Sequence, residues 1–309
     1  MRLLIVGAGA TGGFFGVKLA RAGRDVTFLV RPERVAVLRE HGLRISGPGM
    51  DDRITPRLTT AAEIDGSYDL ILLTVKATAL DQAMEDIAPA VGPDTSIIPI
   101  LNGMDHLDRL NSRFGRDTVL GGVALVATSV RGPGDILVLS PDASLTIGDQ
   151  EGAVTPRTER ARAFLADAGF DAKATDAILA AMWSKWVFIA GAGAITCLMR
   201  GTIGDVAAVP GGTAWARDVL TEAADIAAAA GFPVAESERG RYEGTLTQSH
   251  SPYAPSFYRD MIKGHPVEVE HVFGDLSRRA AELAVASPFL DLATMNLRVF
   301  QHQLDSHSG

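Results

Sequence analysis

Leu3-Leu4-Ile5-Val6 runs directly into Gly7-Ala8-Gly9-Ala10-Thr11-Gly12, and the reading of this stretch decides the fold. Four apolar residues without polar alternation read as a strand buried on both faces, the kind found in a parallel sheet covered by helices. The glycines have GxGxxG spacing and lead into a helical stretch through Leu19 and Ala20. Alone the spacing is a weak signal, and a purely structural turn would satisfy it. Between a strand and a helix it is a phosphate-binding turn. Gly7 permits the tight turn, Gly9 lets backbone approach a pyrophosphate, and Gly12 lets the helix pack on the strand. The N–H groups around Ala10 and Thr11, at the helix start, are left to bind phosphate oxygens.

Working outward, further strands follow at Asp25 to Val30, Tyr68 to Val75 and Ser96 to Leu101, where Pro99 is a small penalty. Strands alternating with helices at this spacing predict a doubly wound Rossmann-type α/β domain. Between Val119 and Ile147 the texture turns β-rich, with Gly132-Pro133-Gly134 and Ser140-Pro141-Asp142 as turns, and reads as antiparallel additions at the sheet edge. A helix from about Thr155 to Ala168 and a short segment at Asp171 to Ala174 close the domain. From Thr175 onward the pattern is helical throughout. The expected organisation is therefore 1–174 for the dinucleotide-binding domain and 175–309 for an all-helical substrate and catalytic domain.

Bulk properties narrow the function. The chain has 309 residues, long for a single core, and a net charge of -8, which argues against nucleic acid as the main partner. The one cysteine, Cys197, lies in an apolar run and reads as a buried thiol. No CxxC or HExxH spacing marks a metal site. The apolar run Val187 to Met199 is too short to span a bilayer. These features predict a soluble, cytoplasmic protein without a membrane, metal or nucleic-acid partner, and the long helical half suits a homodimer.

The residue after the second strand selects the dinucleotide. An NAD enzyme usually carries Asp or Glu there for the ribose 2′-hydroxyl. Here Leu29-Val30 is followed by Arg31, with Arg34 one turn on and Glu33 nearby. A guanidinium suits a 2′-phosphate, so NADPH is the expected cofactor, although Arg31 is also readable as a solvated charge.

Further elements complete a pattern: Leu72-Leu73-Thr74-Val75-Lys76 and Leu101-Asn102-Gly103-Met104 at strand ends, Trp183-Ser184-Lys185-Trp186 on a helix, and Glu268-Val269-Glu270 with Gly274 beyond. In this order and spacing the chain resembles the ketopantoate reductase family over essentially its whole length. The resemblance implies a C-terminal domain like that of 6-phosphogluconate dehydrogenases, an active site in a cleft, and NADPH-dependent reduction of a 2-keto acid to the 2-hydroxy acid. It assigns Lys185 as proton donor, Glu268 as its orienting carboxylate and substrate acceptor, and Lys76 and Asn102 to the nicotinamide end. By a looser match it assigns Ser256 to the substrate carboxylate. On residue chemistry alone, Lys185 between two tryptophans is either snorkelling to solvent or held in a cleft, where burial would lower its pKa.

Two departures bear on substrate. Where the family typically has asparagines, this chain has Ile189 and Gly193, one and two turns after Lys185 and on its face. They predict a methyl-rich wall and a gap in the substrate site. After Glu268, Phe273-Gly274 likewise stands where Asn-Gly is frequent. The leading expectation is reduction of 2-dehydropantoate (ketopantoate) to pantoate. The alternatives are a paralogous reductase of a less polar 2-keto acid and a non-catalytic NADPH-sensing protein.

Overall fold

In the computed structural model, which describes residues 1–307, the chain forms two compact units. The first comprises Met1–Leu101 and His106–Ile178; the second comprises Leu179 onward together with Asn102–Asp105. The division thus falls after Ile178, where composition had suggested 174, and a four-residue segment (102–105) of the first half joins the second unit.

Unit one is built on a five-stranded, wholly parallel sheet in the order β5-β2-β1-β6-β7. Its strands are β1 (Arg2–Val6), β2 (Asp25–Leu29), β5 (Arg57–Thr59), β6 (Leu70–Leu73) and β7 (Ser96–Pro99). Leu3, Leu4, Ile5, Leu70, Ile71 and Leu72 are fully buried, as strands covered on both faces must be. Pro99 ends β7 at the edge of this sheet, where a missing N–H breaks no ladder.

The β-rich stretch after Val119 departs from its expected place. Instead of only extending the main sheet, it divides between two further sheets. In one, β9 (Thr128–Gly132) and β10 (Asp135–Val138) join β3 (Leu43–Gly47) and β4 (Met50–Ile54) in the order β4-β3-β10-β9. The other has the order β12-β11-β8, from β8 (Gly121–Leu125), β11 (Ser144–Gly148) and β12 (Asp171–Ala174). One bridge, Ile97 to Val119, ties the approach to β8 onto β7. The hairpin Leu43–Ile54 is not marked in the sequence because its second strand is largely charged, and the other partner of its first strand, β10, lies some ninety residues on. Helix α1 (Ala10–Arg21) packs between two of these sheets. A Cβ at Gly16 would strike Phe28 and Ile5 of the main sheet, and one at Gly13 would strike Ile136 of β10. The remaining helices of unit one are α2 (Pro32–His41), α3 (Leu80–Ile87), α4 (Asp105–Phe114, whose first residue belongs to unit two) and α5 (Pro156–Leu165).

Unit two is helical: α6 (Ile178–Met199), α7 (Ile203–Ala207), α8 (Gly212–Ala229), α9 (Glu236–Leu246), α10 (Ser256–Ile262), α11 (Asp275–Glu282) and α12 (Pro288–His307). The run read as too short for a membrane is part of this 22-residue α6, long and apolar enough by composition to cross one. However, 67% of its most apolar window is buried within the fold, so α6 is the core helix of the unit. Cys197 lies in this core, its thiol pushed up to about 12 by burial. Glu222 of α8 caps α12 from a distance, accepting the backbone N–H groups of Phe289 (3.1 Å) and Leu290 (2.8 Å).

Candidate active site

Three glycines of the first turn serve three separate physical needs. Gly7 has φ +95°, a left-handed conformation costly for any other residue, and its N–H donates to Leu29 O at 3.0 Å. Gly12 has no room for a side chain: a Cβ would strike Gly7 O and Thr74 Oγ1. Thr74, which the sequence offered only as part of a strand end, closes the turn by donating to Val6 O at 2.7 Å and Gly7 O at 3.0 Å. Gly9 is the opposite case, since a Cβ there would meet nothing within 4 Å. It caps α1 without a side-chain hydrogen bond, and the first turn holds no acidic residue. The helix start therefore presents uncapped N–H groups at Ala10, Thr11 and Gly12 beside an open backbone, which fits a dinucleotide pyrophosphate.

Arg31 lies two residues beyond β2 as the backbone N-cap of α2, exposed, with no ion pair among the described residues. Arg34 is half-buried one turn on, and Glu33 is exposed beside it. Lys76 is exposed after β6. Because β6 runs parallel to β1, this is the same edge of the sheet as the glycine turn.

The chemistry-bearing residues of unit two gather around one irregular turn. Residues Glu270–Gly274 form a π-helical turn, a widening that recurs at functional sites. Trp186 holds it by donating its indole N–H to Val272 O at 2.9 Å. Gly103, at φ +80°, lies so close that a Cβ would strike His271 O, so the Asn102-Gly103 bend needs its glycine. The same turn meets Asp105 through His271 Nδ1 at 3.8 Å. A bidentate Arg298–Glu270 pair (2.7 Å and 2.7 Å) secures its start and lowers the Glu270 carboxyl pKa. Asn102, Glu268 and Lys185, far apart in sequence, are thereby placed in one unit.

Lys185 keeps partial contact with solvent, yet burial among α6 and its neighbours lowers its ammonium from 10.5 to about 8. The charge of Glu268 opposes that shift without cancelling it. The flanking tryptophans are fixed rather than loose. Trp183 and Trp186 lie 4.9 Å apart, and Arg279 sits over both rings at 5.9 Å while its Nε donates to Asp275 at 3.0 and 3.1 Å. Ser184 turns away into a separate buried network, donating to Glu238 at 2.8 Å and meeting the Tyr242 hydroxyl at 2.9 Å.

On the Lys185 face, Ile189 is half-buried, as a wall residue would be. The gap expected at Gly193 does not exist. Phe273 fills it: a Cβ at Gly193 would lie 2.7 Å from Phe273 Cζ and 3.3 Å from Phe257 Cδ2. The two phenyl rings pack edge to face at 5.7 Å and are themselves buried. The departures at 193 and 273 are thus one matched exchange of a small residue for a large one. Phe257 could not have been singled out in advance, because its importance lies in this contact. Ser256, next to it, is exposed at the start of α10.

A glycine turn built for a pyrophosphate and a low-pKa lysine beside a carboxylate define a dinucleotide-dependent oxidoreductase. The family model "Ketopantoate reductase PanE/ApbA" matches residues 3–152, and its C-terminal counterpart matches 177–301. The chain is 31% identical, over 97% of its length and 99% of the relative's, to the "uncharacterized oxidoreductase YkpB" of Bacillus subtilis. The 2-dehydropantoate 2-reductase structure from Geobacter metallireducens superposes with a TM-score of 0.88 at 27% identity, covering 96% of this chain and 99% of that one. A D-mandelate dehydrogenase bound to NADH and anilino(oxo)acetate shares the fold, with a TM-score of 0.89 at 22% identity over 99% and 100% of the two chains. The protein belongs to the ketopantoate reductase family.

Proposed function

We propose that the protein reduces a 2-keto acid to the 2-hydroxy acid with NADPH, and that its substrate is less polar than ketopantoate. The observation that carries the reaction is Lys185: an ammonium brought to about 8 by burial, beside Glu268, on the core helix of unit two. Gly7 to Gly12 would hold the pyrophosphate and Arg31 the 2′-phosphate, with Lys76 and Asn102 toward the nicotinamide. When bound, the reduced nicotinamide supplies the hydride. The chain's own part is then proton transfer. As the substrate carbonyl carbon is reduced, negative charge develops on its oxygen. Lys185 Nζ stabilises that charge and gives up its proton to it, leaving a neutral amine and a hydroxyl group. A pKa near 8 suits this, since the acid is charged at neutral pH and still releases its proton readily. Glu268 orients the ammonium and accepts from the new hydroxyl.

The choice of substrate class rests on the matched pair Gly193–Phe273 and on Ile189, which put aromatic and aliphatic groups where family members carry amides. Ketopantoate itself, the substrate named for the Geobacter relative, is the second reading. A panel of 2-keto acids followed by NADPH absorbance separates the two. Turnover of apolar 2-keto acids at least as efficient as that of ketopantoate supports the proposal. Exclusive turnover of ketopantoate overturns the substrate class, and absence of any turnover overturns the reaction.

A further inference from the structure

A 2-keto acid carries a carboxylate next to the carbonyl that Lys185 would protonate, and the one partner the family resemblance offers it, the Ser256 hydroxyl, brings no opposite charge. Most arginines of unit two are already engaged. Arg217 is bound to Glu243, Arg241 to Glu238, Arg278 and Arg279 to Asp275, and Arg298 to Glu270. Arg259 is different. It is only partly exposed and has no carboxylate partner or side-chain hydrogen bond among the described residues.

Its position in the fold gives that guanidinium a purpose. Arg259 lies one turn beyond Ser256 on α10, and residues three apart are neighbours on a helix surface. Phe257, the residue after Ser256, packs α10 onto the Lys185 helix at Gly193. On the segment leading into α10, the Tyr253 ring packs 5.9 Å from Phe188, which is one turn from Lys185 on α6. The Tyr253 hydroxyl also has no hydrogen-bond partner among the described residues, and the Arg259 charge is close enough to act on it against the effect of burial. A guanidinium with its donors free, an unengaged phenol and an exposed serine hydroxyl thus lie on one short segment, Tyr253 to Arg259, that packs on the helix of the proton donor.

We infer that Arg259, assisted by Tyr253, is the anchor for the substrate carboxylate. This rests on the reading of the protein as a 2-keto acid reductase, and it extends that reading to a residue whose chemistry is bidentate recognition of a planar anion. It also explains how an otherwise apolar wall selects acids: Ile189 accommodates the side chain while Arg259 requires the charge.

The test compares Arg259→Gln and Arg259→Lys with the unmodified enzyme. Arg259→Gln should raise KM for the preferred 2-keto acid roughly ten- to hundredfold, the loss of one charge-assisted contact, with kcat changed only a few-fold and NADPH affinity unchanged. Arg259→Lys should fall between the two. For the uncharged amide of the same keto acid, Arg259→Gln should leave KM unaltered, which a general structural defect would not do. Oxamate, which keeps the carboxylate but has an amide in place of the reducible ketone, reads the anchor without turnover. With NADPH present, its affinity should fall at least tenfold in Arg259→Gln and a few-fold in Tyr253→Phe. Unchanged oxamate affinity and keto-acid KM in Arg259→Gln overturn the inference. Weakened oxamate binding in a protein that turns over no 2-keto acid would instead overturn the proposed reaction and leave the anchor standing.

Discussion

Gly12 and Gly193 are both helical glycines with no space for a Cβ, yet they hold different kinds of information. At Gly12 the obstacles are Gly7 O, backbone of the same turn, and the hydroxyl of Thr74, which reaches in from the end of β6. At Gly193 the obstacles are the rings of Phe257 and Phe273, more than sixty residues away in sequence. A site made of backbone is rigid and can be written as a local motif. A site made of packed side chains is an agreement between distant positions, and it changes when two of them change together. The cofactor turn is of the first kind and the surroundings of Lys185 are of the second.

The sharpest way to break this contrast is at Lys185 itself. If it is the proton donor, Lys185→Met should lower kcat by about 10²- to 10⁴-fold, the usual contribution of general acid catalysis, without affecting NADPH binding. Lys185→Arg should be nearly as impaired, because a guanidinium does not release its proton. Stability should move the other way. Burial lowers the Lys185 pKa to about 8, so the folded state opposes the charge throughout the range below that value, and this penalty fades as pH rises from about 8 toward 10.5. Lys185→Met should therefore melt at or above the temperature of the unmodified protein at pH 7. A variant both slow and unstable would mean that Lys185 is structural.

The same ionisation fixes the pH dependence. Reduction needs the protonated lysine, so its kcat/KM should be level below pH 8 and fall about tenfold per unit above it. Oxidation of the 2-hydroxy acid needs the free amine and should rise with pH until about 8. A reduction profile level to pH 10 would assign the proton to another group.

In unit one, the Arg31 prediction tests how far a local motif reaches. One charge-assisted contact corresponds to an NADPH preference over NADH of roughly ten- to a hundredfold, and Arg31→Ala should erase most of it. Equal affinity for the two dinucleotides in the unmodified protein would show that the exposed guanidinium leaves the 2′-position unread.

The glycines can be compared directly by urea unfolding. Gly12→Ala and Gly193→Ala should each cost about 1–3 kcal/mol, as overpacking does, with Gly12→Ala at the upper end because backbone cannot yield. Phe273→Leu should restore much of the loss in Gly193→Ala, whereas no single side-chain replacement restores Gly12→Ala. Equal behaviour in the two cases would remove the distinction between backbone and side-chain sites.

That distinction also describes what was legible in the sequence. The parallel sheet, the glycine turn and the change to helices after residue 174 were readable, because each is signalled by local periodicity or backbone need. Lys185 stood out because a lysine between tryptophans in an apolar helix requires an explanation. Of the sheet formed by 43–54 with 128–138, the second half was readable as β-rich, but the hairpin 43–54 and the pairing between the two were not, since a short charged strand carries little signal without its partner. The filled space at Gly193 was misread as a gap because Phe273 is invisible from that position. The widened turn at Glu270–Gly274 had no local mark, being held by Trp186, Gly103 and Arg298 together.

Ile189 is where the two kinds of site meet, and it gives the smallest predicted effect. It is half-buried one turn after Lys185, at a position where family members carry an amide. Ile189→Asn is therefore the one change toward the family pattern that α6 can accept alone. A neutral hydrogen bond contributes about 0.5–1.5 kcal/mol, so the ratio of kcat/KM for ketopantoate to that for an apolar branched 2-keto acid should rise roughly two- to twelvefold. Adding Gly193→Asn to this variant should fail to fold well, and should become tolerable only with Phe273→Asn, which frees the occupied volume. The triple variant should then favour ketopantoate more strongly than Ile189→Asn does. If Ile189→Asn leaves the ratio unchanged while the triple variant shifts it, specificity resides in the Gly193–Phe273 exchange alone. If neither moves it, the wall of α6 does not meet the substrate side chain.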